Sequence, residues 1–329
     1  QHEHLADVGK YESPYTTKKI GERPANGWPL VIAMHGGGGV PAEINDAQWR
    51  HMQVYYRDHP EVGGYVYLAL RAPTDEWNGF YTDYVYPLIE QLIRNFTVHG
   101  DIDPNRVYLI GYSHGGYGAF AIGPKLPHRF AAIHASAAAP TDGQTTAKTL
   151  RTVRFSFMIG EKDESYGRIE RCRAFNERVV ELRKDRTDIY DVEMKEIAGH
   201  GHTGLPDRDM IVDLAGYTRD PMPQEVTWAQ TDSVVRRFYW IEDPNAQAGR
   251  EINASCRDNI INIDGNATGT ISLHLDQRLI DVTREVVIRT ADGERRVTPE
   301  PTIDALIRSI HATGDPHMAT TMRIDVVLK

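Results

Sequence analysis

Through residue 205 the chain repeats one pattern: a short apolar run, a breaker, then a stretch with apolar residues spaced three and four apart. The runs fall at residues 30–34, 65–70, 106–110, 130–135, 155–159 and 189–197. Helical spacing covers 42–59, 84–96, 114–126 and 168–184. In the second of these, Val85, Leu88, Ile89, Leu92, Ile93 and Phe96 form a single stripe, so one face of that helix is buried. Runs that are apolar throughout are buried on both faces. Alternating with helices, they predict a mostly parallel, doubly wound sheet.

Beyond residue 205 the pattern changes. Leu205-Pro206-Asp207 and Asp220-Pro221-Met222-Pro223 are breakers. Strand-like segments follow at 225–228, 234–241, 259–263, 269–275, 285–290 and 322–328, with Asp264-Gly265 and Asp292-Gly293 as turns. One helix, 302–312, interrupts them. A length of 329 residues suits about two domains. The expected division is a catalytic α/β domain over 1–224 and a smaller strand-rich domain over 225–329, packed on the first and supplying no catalytic group.

Charge and composition exclude several classes. There are 46 acidic and 37 basic residues, a formal charge of −9, with no basic run. Such a chain has no electrostatic footprint for nucleic acid or for anionic lipid. No apolar stretch approaches the ~18 residues that a membrane-spanning helix needs. Cys172 and Cys256 are too few for a disulfide scaffold and lack zinc spacing; one bridge or two buried thiols are both open. A chain beginning at Gln1 fits a trimmed export signal, so a secreted or periplasmic location is expected, with the cytoplasm as the alternative. Histidines with no part in the site motifs, His2 and His4 among them, read as surface residues.

The chemistry concentrates at strand ends. Gly111-Tyr112-Ser113-His114-Gly115 is a G-x-S-x-G that follows an apolar run and opens a helix rich in small residues. That is the setting of a nucleophile elbow. His35-Gly36-Gly37-Gly38-Gly39 follows an earlier run, and its glycines would let backbone N–H groups approach a substrate oxygen. Oxyanion donors are expected from Gly37 or Gly38 and from His114. Neither a Rossmann nor a Walker pattern is present.

A serine hydroxyl needs a base, and the base needs an orienting acid. Asp163 follows the run at 155–159, flanked by Glu161 and Glu164. His200 and His202 follow the run at 189–197. Both loops lie at carboxyl ends of strands, where open α/β sheets place their sites. Spacing leaves His200 and His202 as alternatives. A His-x-His metal site lacks an evident third ligand, so no metal is expected. Trp77, Phe80 and Tyr81 follow another strand end and are candidate walls of a substrate pocket.

Residues 103–116, with Met34-His35-Gly36-Gly37-Gly38 upstream, resemble the α/β-hydrolase superfamily. The likeness is to its branch of esterase D-like, polyhydroxyalkanoate depolymerase-like and prolyl oligopeptidase-like serine esterases, and it covers about residues 28–205. In that branch the acid follows a Gly-x-x-Asp loop, which implies Asp163. The base ends a Gly-x-Gly-His pattern, which implies His202 rather than His200. Tyr239-Trp240, Leu279-Ile280-Asp281 and residues 286–288 resemble the strand-rich tail of some bacterial predicted esterases. The resemblance implies hydrolysis of a small-molecule or polymeric ester through an acyl-enzyme, without cofactor. Aromatic or bulky esters are favoured if Trp77, Phe80 and Tyr81 face the site. The alternatives are a serine peptidase of the prolyl oligopeptidase kind and a non-catalytic binding protein on the same fold. No repeat characteristic of the peptidases' propeller precedes residue 28, and all three triad roles are filled.

Overall fold

The structure is a computed structural model that describes residues 3–8 and 11–329. His2 and the His4 side chain lie outside what it describes; His128, His134 and His274, expected at the surface, are instead buried, His134 between the Ser136 and Ser156 hydroxyls and His274 against Glu242. The chain divides into two compact units, Gln1–Arg219 and Asp220–Lys329.

The first unit begins with strands β1 (Glu3–Val8) and β2 (Tyr11–Ile20), then β3 (Trp28–Met34), α1 (Ala42–Tyr55) and β4 (Tyr65–Leu70). Next come α2 (Val85–His99), β5 (Ile102–Tyr112), α3 (His114–Lys125) and β6 (Ala132–Ser136). The unit ends with β7 (Arg154–Gly160), α4 (Arg168–Arg183), β8 (Val192–Ile197) and a short α5 (Met210–Leu214). The eight strands form one sheet in the order β1-β2-β4-β3-β5-β6-β7-β8. β4, β3 and β5 to β8 are parallel, whereas β1 and β2 join antiparallel at one edge.

β3, β4 and β7 are buried at every position, which is why they read as unbroken apolar runs. β2 was not anticipated. Its buried positions, Ser13, Thr16 and Ile20, are irregularly spaced and mostly polar, so it carries no hydrophobic period. The run expected at 189–197 starts at Val192 instead, because Tyr190 turns the chain at φ 52°. α2 buries Val85, Leu88, Ile89, Leu92 and Ile93, five of the six stripe residues. Each large apolar side chain so buried contributes roughly 1.5–3 kcal/mol.

The second unit contains β9 (Glu225–Ala229), β10 (Arg237–Phe238), β11 (Ile241–Glu242), β12 (Glu251–Arg257) and β13 (Ile260–Gly265). It continues with β14 (Gly269–Leu275), β15 (Val286–Thr290), β16 (Gly293–Val297), α6 (Ile303–Thr313) and β17 (Met322–Leu328). They make a four-stranded sheet, β10-β11-β14-β17, and a five-stranded sheet, β16-β15-β13-β12-β9. Buried residues of both sheets join in one core around Trp228, Phe238 and Trp240. Residues 220–224 belong here: the Trp240 indole donates to the Pro223 carbonyl at 2.8 Å, and the Cys256 N–H to the Gln224 carbonyl at 2.8 Å. The run at 234–241 is not one strand, since Tyr239 adopts φ 53° between β10 and β11. Cys172 and Cys256 are both free and buried, so no bridge joins them.

Candidate active site

β5 ends at Tyr112 and α3 begins at His114, which leaves one residue to reverse the chain. That residue, Ser113, sits at φ 53° and ψ −112°. A non-glycine residue held there costs of order 1–3 kcal/mol, which the surrounding contacts must offset. The Ser113 N–H donates to the Ser136 carbonyl and the Gly115 N–H to the His35 carbonyl, each at 2.8 Å. The flanking glycines are obligatory for packing. A Cβ on Gly115 would stand 2.2 Å from the Met34 carbonyl oxygen, and one on Gly111 2.1 Å from the Gly115 carbonyl oxygen.

The loops after β7 and β8 bring the partners in. Ser113 Oγ lies 2.9 Å from His202 Nε2, and His202 Nδ1 lies 2.8 Å from Asp163 Oδ2. The carboxylate accepts from Nδ1–H, which leaves Nε2 to accept the serine proton. Asp163 is buried. Burial alone would raise its pKa, but the hydrogen bonds and charges of His202 and Arg168 outweigh this and hold it below the ordinary carboxylate range. Of the two histidines left open by spacing, His202 reaches Ser113. The His200 ring instead meets the Ala198 carbonyl at 3.0 Å. Glu161, next but one before Asp163, accepts from the Gly199 N–H at 2.7 Å and so braces the loop that carries the base.

Several supporting residues escaped sequence reasoning. Arg168 Nη1 donates to the second oxygen of Asp163 at 2.7 Å, and its Nε donates to the Tyr117 hydroxyl at 3.0 Å. The Tyr112 hydroxyl donates to the His202 carbonyl at 2.6 Å. No motif marks Arg168 or Tyr117, and Tyr112 fills a variable position of the G-x-S-x-G; their contacts are made only in the fold. Arg168 is the buried counter-ion of a buried acid. Arg168→Met therefore leaves Asp163 short of a partner and is expected to cost about 3–5 kcal/mol of stability, read from chemical unfolding. A loss below about 1 kcal/mol would mean that His202 alone satisfies the carboxylate.

The glycine loop is pinned from three sides. The Ala72 N–H donates to His35 Nε2 at 3.0 Å, so the ring proton sits on Nδ1, which faces the Gly36 carbonyl at 2.6 Å. Burial pushes the pKa of His35 down to about 4, in keeping with this neutral ring. The Gly39 N–H donates to the Asp75 carbonyl at 2.8 Å. The Gly38 N–H donates to Asn45 Oδ1 at 2.9 Å, so of the two candidate glycines Gly38 already spends its donor inside the protein. Gly37 adopts φ 110°, and the His114 N–H lies in the first turn of α3, where helix geometry provides no acceptor.

The aromatic candidates separate. Phe80 is completely buried, wedged between the rings of His35 and His114 at 5.1 and 4.9 Å, so it presents no surface and the expectation of a pocket wall is corrected there. Trp77 is 40% exposed and stands near Tyr117 and Tyr166, forming an aromatic shelf above α3. Tyr81 is half-buried. Among the described residues no cluster of three or more His, Cys, Asp or Glu could hold a metal, and no helix is long and apolar enough to cross a membrane.

A mostly parallel sheet, a strained serine between a strand and a helix, and a histidine and an acid on the two following strand ends define an α/β-hydrolase fold. No protein-family profile and no curated protein matches the chain. Among solved structures, a thermostable esterase superposes with a TM-score of 0.52 at 19% identity, over 66% of this chain and 63% of that one. An S-formylglutathione hydrolase from Agrobacterium tumefaciens gives 0.47 at 17% identity, over 65% and 93%. The CE1 ferulic acid esterase from Anaeromyces mucronatus gives 0.48 at 13%, over 66% and 88%. What is shared with the thermostable esterase at that identity is the fold.

Proposed function

We propose that the protein is a serine carboxylester hydrolase acting through an acyl-enzyme. The observation that carries this reading is the continuous chain of hydrogen bonds from Ser113 through His202 to Asp163, 2.9 and 2.8 Å long, at the mouth of the glycine loop. Ser113 Oγ attacks the ester carbonyl while His202 Nε2 takes its proton. Asp163 fixes the imidazole tautomer and stabilises the imidazolium that forms. The Gly37 and His114 N–H groups donate to the developing oxyanion, with Gly38 shaping the loop through Asn45. His202 returns the proton to the departing alkoxide. Water then attacks the acyl-serine with His202 again as base. Trp77 and Tyr166 offer aromatic contact to a bulky substrate. All these groups lie in the first unit.

The test is covalent labelling with a fluorophosphonate, followed by assay on p-nitrophenyl acetate and alanine p-nitroanilide. Label on Ser113 with rapid ester cleavage and negligible anilide cleavage is the expected result. Label without ester cleavage, or a faster anilide reaction, would overturn the esterase reading.

A further inference from the structure

A cavity of about 490 Å³ opens beside the elbow, its lining including Gly36, His51, Met52, Tyr55, Tyr112 and Thr203. That volume is within the range of small-molecule sites. Trp77, Phe80 and Tyr81 take no part in it. Its position is fixed by sequence neighbours of the reacting groups. Tyr112 precedes the nucleophile, Thr203 follows the base, and Gly36 heads the glycine loop. A Cβ added to Gly36 would stand 3.5 Å from Ser113 Cβ, so this wall runs close to the serine.

The aromatic part of the lining is held in place. The rings of Tyr55 and Tyr112 meet edge to face at 5.9 Å. Their hydroxyls are already committed: Tyr55 donates to Asp207 Oδ1 at 2.7 Å and Tyr112 to the His202 carbonyl at 2.6 Å. The fully buried Asp207 also accepts from Tyr56 at 2.6 Å, which locks this corner of α1. What remains for a ligand is ring surface and the Met52 thioether, alongside the polar ends of Gln48, His51 and Thr203. No lysine, arginine, aspartate or glutamate lines the cavity.

We infer that this cavity receives the alcohol half of the ester, and that the alcohol is uncharged and aromatic or bulky. The inference rests on the hydrolase reading. In acyl transfer the acyl carbon stays on Ser113 Oγ, while the C–O bond to the alcohol breaks and the leaving oxygen takes the proton from His202 Nε2. The departing half must therefore lie against the wall that continues from the base. That wall is Thr203 with Tyr112, whose hydroxyl holds the base loop.

His51 and Gln48 lie exposed on α1 at the cavity rim, where a tryptophan narrows the space without disturbing the core. The full chain and its His51→Trp variant are compared on ethyl acetate, 2-naphthylmethyl acetate and ethyl 2-naphthylacetate, with Gln48→Trp as the second variant should the first fail to fold. The kcat/KM ratio of 2-naphthylmethyl acetate to ethyl acetate is expected to fall at least about tenfold. The ratio of ethyl 2-naphthylacetate to ethyl acetate is expected to hold within about twofold. A fall confined to the naphthylacetate ratio would place the acyl half in the cavity and overturn the inference, as would two unchanged ratios. A wild-type protein that cleaves none of these esters, and that no fluorophosphonate labels, would instead overturn the hydrolase reading.

Discussion

Ser113→Ala is expected to lower ester turnover by at least about 10⁴-fold while leaving the fold intact. The side chain points from a turn whose backbone is held by the Ser136 and His35 carbonyls, and neither bond involves the hydroxyl. His202→Ala should cost about as much, because a hydroxyl without its base is a poor nucleophile. His200→Ala should stay within a few-fold of the parent, since that ring meets only the Ala198 carbonyl. The Ser113→Ala/His202→Ala double variant should be no slower than either single one, for residues that act as a unit lose their effect together. Steady-state rates on p-nitrophenyl acetate check all four. Ser113→Ala retaining more than a tenth of the parent turnover, or His200→Ala matching the loss at His202, would contradict the assignment.

The reach of sequence reasoning follows the physics of each element. Buried parallel strands such as β3 and β4 announce themselves, because a strand apolar on both faces has one meaning inside an alternating pattern. β2 did not, since it buries Ser13 and Thr16; β12 does alternate Ile252, Ala254 and Cys256 with polar residues, but two of those three are small and add little hydrophobic contrast. The elbow was legible because its glycines answer a steric demand that no other residue meets. The choice of His202 over His200 was not legible from spacing, since two residues along a loop shift a ring by several ångströms without altering the pattern. It needed the family resemblance; in the structure the His202 ring stands 2.9 Å from Ser113 Oγ. Phe80 misled because an aromatic residue after a strand end looks the same whether it walls a pocket or fills the space beneath it. Arg168 and Asn45 carry no motif and Tyr112 fills a variable position of one, since their roles depend on contacts made across the fold.

Acid should unfold this protein well above the pH at which carboxylates titrate. His35, His114, His128 and His134 are each at most 1% exposed. Burial lowers their pKa values to about 4, 3, 4 and 3 respectively. Their surroundings suit the neutral ring: His35 Nε2 accepts from the Ala72 N–H, and His134 meets Ser156 and Ser136 hydroxyls at 2.8 Å. In the unfolded chain each histidine titrates near 6.5. Between about pH 6.5 and 4 the unfolded chain binds these protons and the folded chain does not. Stability therefore rises with pH across that window and is lost as pH falls through it. Each proton contributes up to about 1.4 kcal/mol per pH unit, so the four approach about 5 kcal/mol per pH unit, comparable with the whole stability of a domain. The carboxylates act lower. Asp75 and Asp163 have depressed values in the folded state, so their contribution is complete above the unfolded value near 3.9 and is lost only below it. The urea midpoint of the full chain, followed by tryptophan fluorescence, should be level from pH 8 to 7 and drop steeply below 6.5. A midpoint that stays level down to pH 4.5 and falls only beneath it would show that the buried histidines take up protons in the folded state and that carboxylates govern the acid limit.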